Sequence, residues 1–210
     1  MSPFDEENAT ADELWEYYLL EYQNQNPLAK LLFDNYYRKL GYIIGKVGDN
    51  SSLLEVGCGP GESSRRIIKM LKGQHFEASE FDERLVRKLL ETNPAFKVSQ
   101  ESVYSLQRKD NEFDCVLLLE VLEHLDNPEL ALSEIFRVAR RHVIVSVPHE
   151  PIWSILNFVR GKYIRDFGNT PGHINRWSPG KIKKMVEKYG TIVDMHTPLP
   201  WVIILAESRK

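Results

Sequence analysis

The chain has 210 residues, of which 27 are basic and 30 acidic, so its formal net charge is −3. This length is enough for one domain with a substantial core, and the near-neutral charge argues against binding to nucleic acid. No apolar run reaches the roughly 18 residues of a membrane-spanning helix, and the N-terminus is acidic where a signal peptide would be basic. We therefore expect a cytoplasmic protein without a transmembrane segment, in which residues 1–210 form a single domain.

The first part of the chain, residues 11–47, has the apolar spacing of two helices divided at Asn26-Pro27. Because these helices precede the first strand, we expect them to cap the sheet, where they could fold over the carboxyl ends of its strands. Their predicted apolar stripes are Trp15, Tyr18, Leu19 and Tyr22 in the first helix, and Leu28, Leu31, Leu32, Asn35, Tyr36 and Lys39 in the second.

An apolar strand followed by glycines at alternate positions is the most informative motif. Residues 52–56 fit a strand buried in a parallel sheet, and Gly57, Gly59 and Gly61 allow a sharp turn and close approach of a ligand to the backbone. The spacing of apolar residues then predicts a helix over 62–72. Strand, glycine turn and helix together predict a binding site for a nucleoside cofactor.

Acidic residues around this turn limit the kind of cofactor. A dinucleotide fingerprint has its third glycine where this chain has Glu62. Glu55, directly before the first glycine, would repel a pyrophosphate and attract an ammonium group, which favours a cofactor with an amino-acid tail. Glu80 ends the next predicted strand about 20 residues after the turn, where a carboxylate can accept hydrogen bonds from both hydroxyls of a ribose.

The rest of the chain alternates strands and helices, which indicates a parallel sheet covered on both faces. Residues 150–180, after the fifth strand, show no clear periodicity. Cys58 and Cys115 are too few for a disulfide framework or a metal cage, so we expect both to be reduced and buried. The predicted strands are 52–56, 75–79, 96–99, 113–119, 142–147, 192–197 and 201–207, and the predicted helices after the cap are 62–72, 83–91, 127–138 and 179–189.

Four motifs in this order resemble the class I, Rossmann-like S-adenosylmethionine-dependent methyltransferases, of the type 11 or UbiE-like superfamily. They are the E-x-G-x-G-x-G motif at 55–61, the acid Glu80, the segment ESVY at 101–104, and the stretch FDCVLLLEVLEHL at 113–125. The resemblance implies an α/β fold, with a doubly wound, mostly parallel sheet of seven strands in the order 3-2-1-4-5-7-6 and the last strand antiparallel. The expected parts are a helical cap at 11–47, a cofactor-binding core at 48–149, an insert or lid at 150–180, and a closing helix and strands at 181–210.

The resemblance also implies which residues hold S-adenosyl-L-methionine and its product S-adenosyl-L-homocysteine. The glycines would surround the methionine end, with Glu55 at its amino group, Glu80 at the ribose, and Leu119 and Glu120 by the sulfonium. At the adenine, Ser102 replaces a commoner aspartate, which weakens the expected hydrogen bond. The full cofactor-binding set is Glu55, Gly57, Cys58, Gly59, Gly61, Glu80, Phe81, Ser102, Val103, Leu119, Glu120 and, from the helical cap, Tyr22.

Methyl transfer from a sulfonium depends mainly on positioning and exclusion of water, whereas an oxygen acceptor of high pKa also needs a base or a metal. The candidate catalytic residues are His149, beside Glu150 after the fifth strand, together with His173 and His124. We expect no resident divalent metal. The alternative is a metal site at Glu120, Glu123, His124 and His173, because E-x-x-E-H resembles the metal-binding segment of small-RNA 2′-O-methyltransferases and ubiquinone-pathway O-methyltransferases, and Glu120 and His124 would share one face of a helical turn.

The insert at 150–180 interleaves aromatic residues with a few bases and could form a lid over the acceptor. Because the chain has no basic excess, we expect a small-molecule acceptor rather than nucleic acid. The sequence leaves open whether oxygen, nitrogen or carbon is methylated, and which oligomeric state the protein adopts. The alternative functions are an RNA or protein methyltransferase and a non-catalytic cofactor-binding partner subunit.

Overall fold

A computed structural model describes residues 4–5, 8–22, 26–161 and 163–209, without the side chains of residues 21, 22 and 165. It contains one seven-stranded sheet formed by β1 (Ser52–Val56), β2 (His75–Glu80), β3 (Lys97–Gln100), β4 (Phe113–Leu119), β5 (Ala139–Pro148), β6 (Gly190–His196) and β7 (Trp201–Ser208). The strand order is β3-β2-β1-β4-β5-β7-β6. Strands β1 to β5 are parallel, and β7 runs antiparallel to both of its neighbours. The predicted fold class and strand order are thereby confirmed.

Helices cover the sheet, and several begin at residues that the sequence marks as caps. Asn26 Oδ1 accepts a hydrogen bond from Leu28 N at 2.9 Å before Pro27, and Asn127 and Ser178 cap helices whose first residue is also proline. None of the helices in the described ranges is long and apolar enough to span a bilayer. The helices are α1 (Ala11–Tyr22), α2 (Pro27–Ile44), α3 (Glu62–Ile68), α4 (Glu83–Glu91), α5 (Pro128–Val138), α6 (Ile152–Val159) and α7 (Pro179–Val186).

The core lies on both faces of the sheet, because successive residues of a strand point to opposite sides. On β4, Val116 and Leu118 pack against the cluster that includes α5 and α7, whereas Cys115 and Leu117 pack against the cluster that includes α2 and α3. Cys58 and Cys115 are buried free thiols, as expected. Both faces of the central strands are therefore covered, which explains why their sequences are almost continuously apolar.

Three local predictions were wrong. Helix α3 ends at Ile68 instead of residue 72, because the chain tightens there into bonds such as Leu71 N to Ile68 O. Helix α6 forms within the insert, where no periodic element was predicted. The buried face of α2 is also rotated from the predicted stripe. Leu28 and Leu31 are 59% and 65% exposed, because they line open cavities instead of packing into the core.

Candidate cofactor and acceptor site

The three glycines after β1 have different roles, although all have positive φ angles of 76°, 53° and 77°. A Cβ atom at Gly57 would lie 2.6 Å from Val121 Cγ2, and one at Gly61 would lie 2.8 Å from Leu89 Cδ1. A Cβ atom at Gly59 would meet no atom of the described residues within 4 Å. Gly57 and Gly61 therefore allow close packing, whereas Gly59 borders open space at the ends of the strands.

The carboxylate of Glu80 is fixed by backbone amides. Its Oε2 accepts a hydrogen bond from Gly59 N at 2.8 Å, and its Oε1 accepts bonds from Phe81 N and Asp82 N at 2.7 and 2.9 Å. Burial raises the pKa of Glu80, while these three N–H groups act in the opposite direction. Since a carboxylate offers about four lone-pair positions, Oε2 retains one that can accept a bond from a ribose hydroxyl. The ring of Phe81 is 69% exposed.

Glu55 lies under the glycine turn and not among the residues lining the nearby cavity. Its side chain is buried and accepts a hydrogen bond from the Ser64 hydroxyl of α3. Burial raises the pKa of Glu55 to about 7, although the hydrogen bonds from Ser63 and Ser64 lower it. The carboxyl is therefore partly protonated at neutral pH. Because Glu55 does not line the cavity, its position gives no direct support to the predicted contact with an amino group.

A cavity of about 150 Å³ lies at the carboxyl ends of β1, β4 and β5 and includes the glycine turn. This is the position at which sheets of this type bind ligands. Of the predicted cofactor residues, Gly57, Cys58, Gly59, Leu119 and Glu120 line it. The other lining residues are Tyr18, Phe33, Tyr36, Tyr37, Pro60, Ser63, Glu123, His124, Pro148, Trp153, His173 and Trp201.

The predicted adenine segment does not line this cavity. Ser102 Oγ accepts a hydrogen bond from Tyr104 N at 3.3 Å, and the side chain of Val103 packs into the core. The Tyr22 side chain lies outside the described residues. Tyr18, one turn earlier on α1, does line the cavity.

Glu120 is positioned by a hydrogen-bond chain that the sequence did not predict. It has a φ of 57° and directly follows β4. Its Oε1 accepts a bond from Ser146 Oγ at 2.7 Å, and Ser146 Oγ lies 2.8 Å from the hydroxyl of Tyr36. Because the Ser146 proton is donated to Glu120, Tyr36 is the donor in the second bond. Glu120 therefore does not share a helical face with His124, and that expectation was wrong.

Glu123, His124 and His173 come together at the edge of the same cavity. Their candidate ligand atoms all lie within 4.8 Å of one another. Glu123 and His124 belong to a single 3₁₀ turn, 122–124, and His173 comes from the insert. Three of the four residues of the alternative metal site are thus adjacent, whereas Glu120 is directed to Ser146.

The histidines differ in what they can do. His124 Nδ1 lies 3.1 Å from the Gly172 carbonyl oxygen and must donate to it, so Nε2 is the nitrogen that can take up a proton. Burial and the neighbouring His124 lower the pKa of His173 to about 3, so its imidazole is neutral at neutral pH. His149 lines neither this cavity nor the larger one beside it, and Glu150 accepts two bonds from Ser154 of α6.

A larger cavity of about 470 Å³ adjoins the first, and Phe33, Trp153 and Trp201 line both. The ring centroids of Phe33 and Trp201 are 5.1 Å apart, and those of Trp153 and Trp201 are 5.8 Å apart. Of these three, only Trp153 was interpreted from the sequence as a lid or packing residue, whereas Phe33 was in no predicted stripe and Trp201 was only placed in a predicted strand. Apolar periodicity does not distinguish a cavity wall from a core. The remaining lining residues are Leu20, Asn26, Leu28, Ala29, Leu32, Leu156, Asn157, Arg160, Tyr163, Thr170 and Pro200.

Comparison with known proteins agrees with this geometry. Residues 54–147, from β1 to β5, match a family model described as Methyltransferase domain. The matched segment, slightly less than half of the chain, is therefore similar to a methyltransferase domain. An uncharacterized methyltransferase of Schizosaccharomyces pombe is 30% identical over 112 residues, which cover 47% of this chain and 40% of that protein. The chain spans less than half the length of the curated relatives it matches.

Solved structures share the fold of this chain at low sequence identity. Magnesium protoporphyrin IX methyltransferase from Synechocystis, solved with bound S-adenosylhomocysteine, superposes with a TM-score of 0.68 at 16% identity, covering 93% of this chain and 94% of its own. A complex from Haloferax volcanii joins the Trm112 methyltransferase activator to a candidate methyltransferase. That match has a TM-score of 0.65 at 12% identity and covers 90% of this chain and 97% of the other.

Proposed function

We propose that this protein transfers a methyl group from S-adenosylmethionine to a small molecule bound in the larger cavity. The observation that carries the proposal is the shared wall of Phe33, Trp153 and Trp201, which places a cavity of about 470 Å³ directly beside the one at the glycine turn. A cavity of this size is typical of small-molecule sites. S-adenosylmethionine is the cofactor we infer at the glycine turn, because Gly59 leaves room at the backbone and Glu80, which lies outside the lining of the smaller cavity, holds an oriented carboxylate beside Gly59.

When bound, S-adenosylmethionine supplies an electrophilic methyl group on a sulfonium. The side chains of Glu120 and Glu123 line the same cavity and give it a negative potential that favours a cation. Tyr36 and Ser146 hold Glu120 in one position, and His124 Nε2 can accept a proton from the acceptor. The aromatic wall excludes water, which favours transfer to the acceptor over side reactions.

The cofactor part of the proposal is tested by thermal unfolding. S-adenosylhomocysteine should raise the melting temperature, whereas NAD should not, because Glu62 occupies the place of the third glycine of a dinucleotide motif. Glu80→Ala should reduce the rise in melting temperature that S-adenosylhomocysteine causes. It should also lower the melting temperature of the free protein, since Gly59 N, Phe81 N and Asp82 N would lose their acceptor. A shift with NAD and none with S-adenosylhomocysteine would refute the assignment.

The acceptor part is tested with a donor carrying a labelled methyl group and fractions of a cell extract. Label should enter a compound of low molecular mass, and the Glu80→Ala variant, at limiting donor, should transfer less. Label that enters only RNA or protein would refute the small-molecule proposal. If no fraction is methylated although S-adenosylhomocysteine binds, a non-catalytic cofactor-binding subunit becomes the better interpretation.

A second candidate function is methylation of RNA or protein. It is favoured by the structural similarity to the Haloferax volcanii protein that binds Trm112. The net charge of −3 argues against a nucleic-acid substrate, because phosphate contacts require a cationic surface. An affinity for RNA that falls steeply with salt concentration would favour this candidate. The cytoplasmic location expected from the sequence belongs to the proposal and can be checked by fractionation.

A further inference from the structure

The larger cavity contains one charged residue, Arg160, among the lining residues that the structure describes. We propose that this cavity binds an acceptor in which an apolar ring system carries one anionic group, and that Arg160 binds the anion. This inference rests on the proposed function, because it names the class of acceptor for the same site.

Arg160 is placed to receive a ligand anion. It directly follows α6, and its backbone N donates to Leu156 O at 3.1 Å, which fixes the start of the side chain at the cavity wall. The side chain is exposed, and the ion pairs found across the described ranges do not include it. A guanidinium in this situation can form a bidentate bond with a carboxylate without first breaking an internal pair.

The rest of the wall favours a ring. Its aromatic side chains include Trp201, whose ring centroid lies 5.1 Å from that of Phe33 and 5.8 Å from that of Trp153. Aromatic rings pack against one another in offset or tilted arrangements, which adds to the free energy gained by apolar burial. An acceptor with several charges would lose its hydration without compensation in this cavity, since only Arg160 carries a charge among the described lining residues.

A polar group on the wall can orient the ring. Thr170 Oγ1 accepts hydrogen bonds from Trp153 Nε1 at 2.9 Å and from Asn157 Nδ2 at 3.3 Å. Both Thr170 and Asn157 are buried. Because the Thr170 hydroxyl accepts these bonds, its proton can be donated to an oxygen or nitrogen of the ligand. The ligand class therefore includes a polar ring substituent in addition to the anion.

The test compares 1-naphthoate with 1-naphthamide, which have the same ring system and nearly the same shape but differ in charge. Binding is measured by calorimetry in the presence of saturating S-adenosylhomocysteine. We expect the natural chain to bind naphthoate about tenfold more tightly than naphthamide, since a charge-assisted hydrogen bond contributes on this order. Arg160→Gln should abolish the difference by weakening naphthoate binding alone.

Arg87→Gln is the matched control, because Arg87 is an exposed arginine of α4 paired with Glu83 and its loss removes the same charge. This variant should bind both probes as the natural chain does. The inference would be overturned if the natural chain bound the two probes equally well or bound neither. It would also be overturned if Arg160→Gln and Arg87→Gln lost the same naphthoate affinity. Failure to bind S-adenosylhomocysteine would instead refute the proposed function, so the two failures are distinguishable.

Discussion

Among single residues, Gly59 and Gly61 show how similar sequence positions carry different constraints. Both have positive φ, but only at Gly61 would a Cβ atom collide with a neighbour, Leu89. The sequence predicted the turn from the spacing of its glycines, yet it could not separate a glycine needed for packing from one that borders a ligand site. That difference depends on Leu89, which is 28 positions away and meets the turn only in the folded chain.

The first prediction concerns this pair. Gly59→Ala should still fold, but its free energy of unfolding should be about 1–2 kcal/mol lower. This is the cost of a left-handed conformation for a residue with a Cβ atom. The variant should bind S-adenosylhomocysteine at least tenfold more weakly, because the methyl group projects into the space at the turn. Gly61→Ala should lose more stability. Urea unfolding and calorimetry measure both effects, and an unchanged affinity in Gly59→Ala would contradict the prediction.

The second prediction concerns Glu55 and pH. Burial raises its folded-state pKa from the ordinary value of 4.5 to about 7, so folding favours the protonated form. Its contribution to stability is present below pH 4.5 and is lost as the pH rises through 7. Between pH 5 and 8 the free energy of unfolding of the natural chain should therefore fall by about 2–3 kcal/mol more than that of Glu55→Gln. Urea midpoints at both pH values measure this, and parallel losses in the two proteins would contradict it.

At the level of elements, the insert is attached to the turn after β4 by several hydrogen bonds. Ile174 N and Asn175 N both donate to Glu123 O, at 2.9 and 3.0 Å. The Asn175 side chain donates to Leu122 O at 3.1 Å and to Leu125 O at 2.6 Å. These bonds place His173 beside His124, so the geometry of the acceptor side depends on this connection.

The third prediction follows from that attachment. Asn175→Ala leaves two carbonyl oxygens without their donor, at a cost of about 1–3 kcal/mol each where they are buried. We expect faster cleavage by trypsin at Arg160 and a weaker response to acceptor probes, with little change in S-adenosylhomocysteine affinity. Asn35→Ala, which removes only a surface bond to Arg38, should behave as the natural chain does. Equal cleavage rates in the two variants would show that the attachment does not restrain the insert.

The fourth prediction concerns the cluster of Glu123, His124 and His173. We expect no resident divalent metal, so a chelator should leave the melting temperature and the binding of S-adenosylhomocysteine unchanged. A rise in melting temperature with Mg²⁺, Mn²⁺ or Zn²⁺ that is absent in His173→Asn would contradict this expectation and support a three-residue site. The variant serves as the control, because it removes one of the three adjacent donors.

Across the whole molecule, the alternation of strands and helices predicted a parallel sheet covered on both faces, since buried parallel strands and amphipathic helices have distinct periodicities. The strand order and the antiparallel last strand came from the family resemblance. Most helix and strand ends fell within three residues of the predicted ones. The functional site was less predictable. Ser146 lies inside β5, and Tyr36 was assigned to an apolar stripe, yet together they position Glu120. This chain of hydrogen bonds joins residues 110 positions apart, and no local sequence pattern encodes it.

The shared aromatic wall has an optical consequence. Trp153 and Trp201 are two of the four tryptophans, and both line both cavities. Because indole emission responds to the polarity of its surroundings, occupation of either cavity should alter the intrinsic fluorescence of the protein. S-adenosylhomocysteine and a carboxylate of the acceptor class should therefore produce separate, saturable changes in tryptophan fluorescence without any attached label. The carboxylate should contain no naphthalene ring, because naphthalene itself fluoresces. Loss of both signals in Trp153→Phe together with Trp201→Phe would identify the two side chains as a natural reporter of ligand binding.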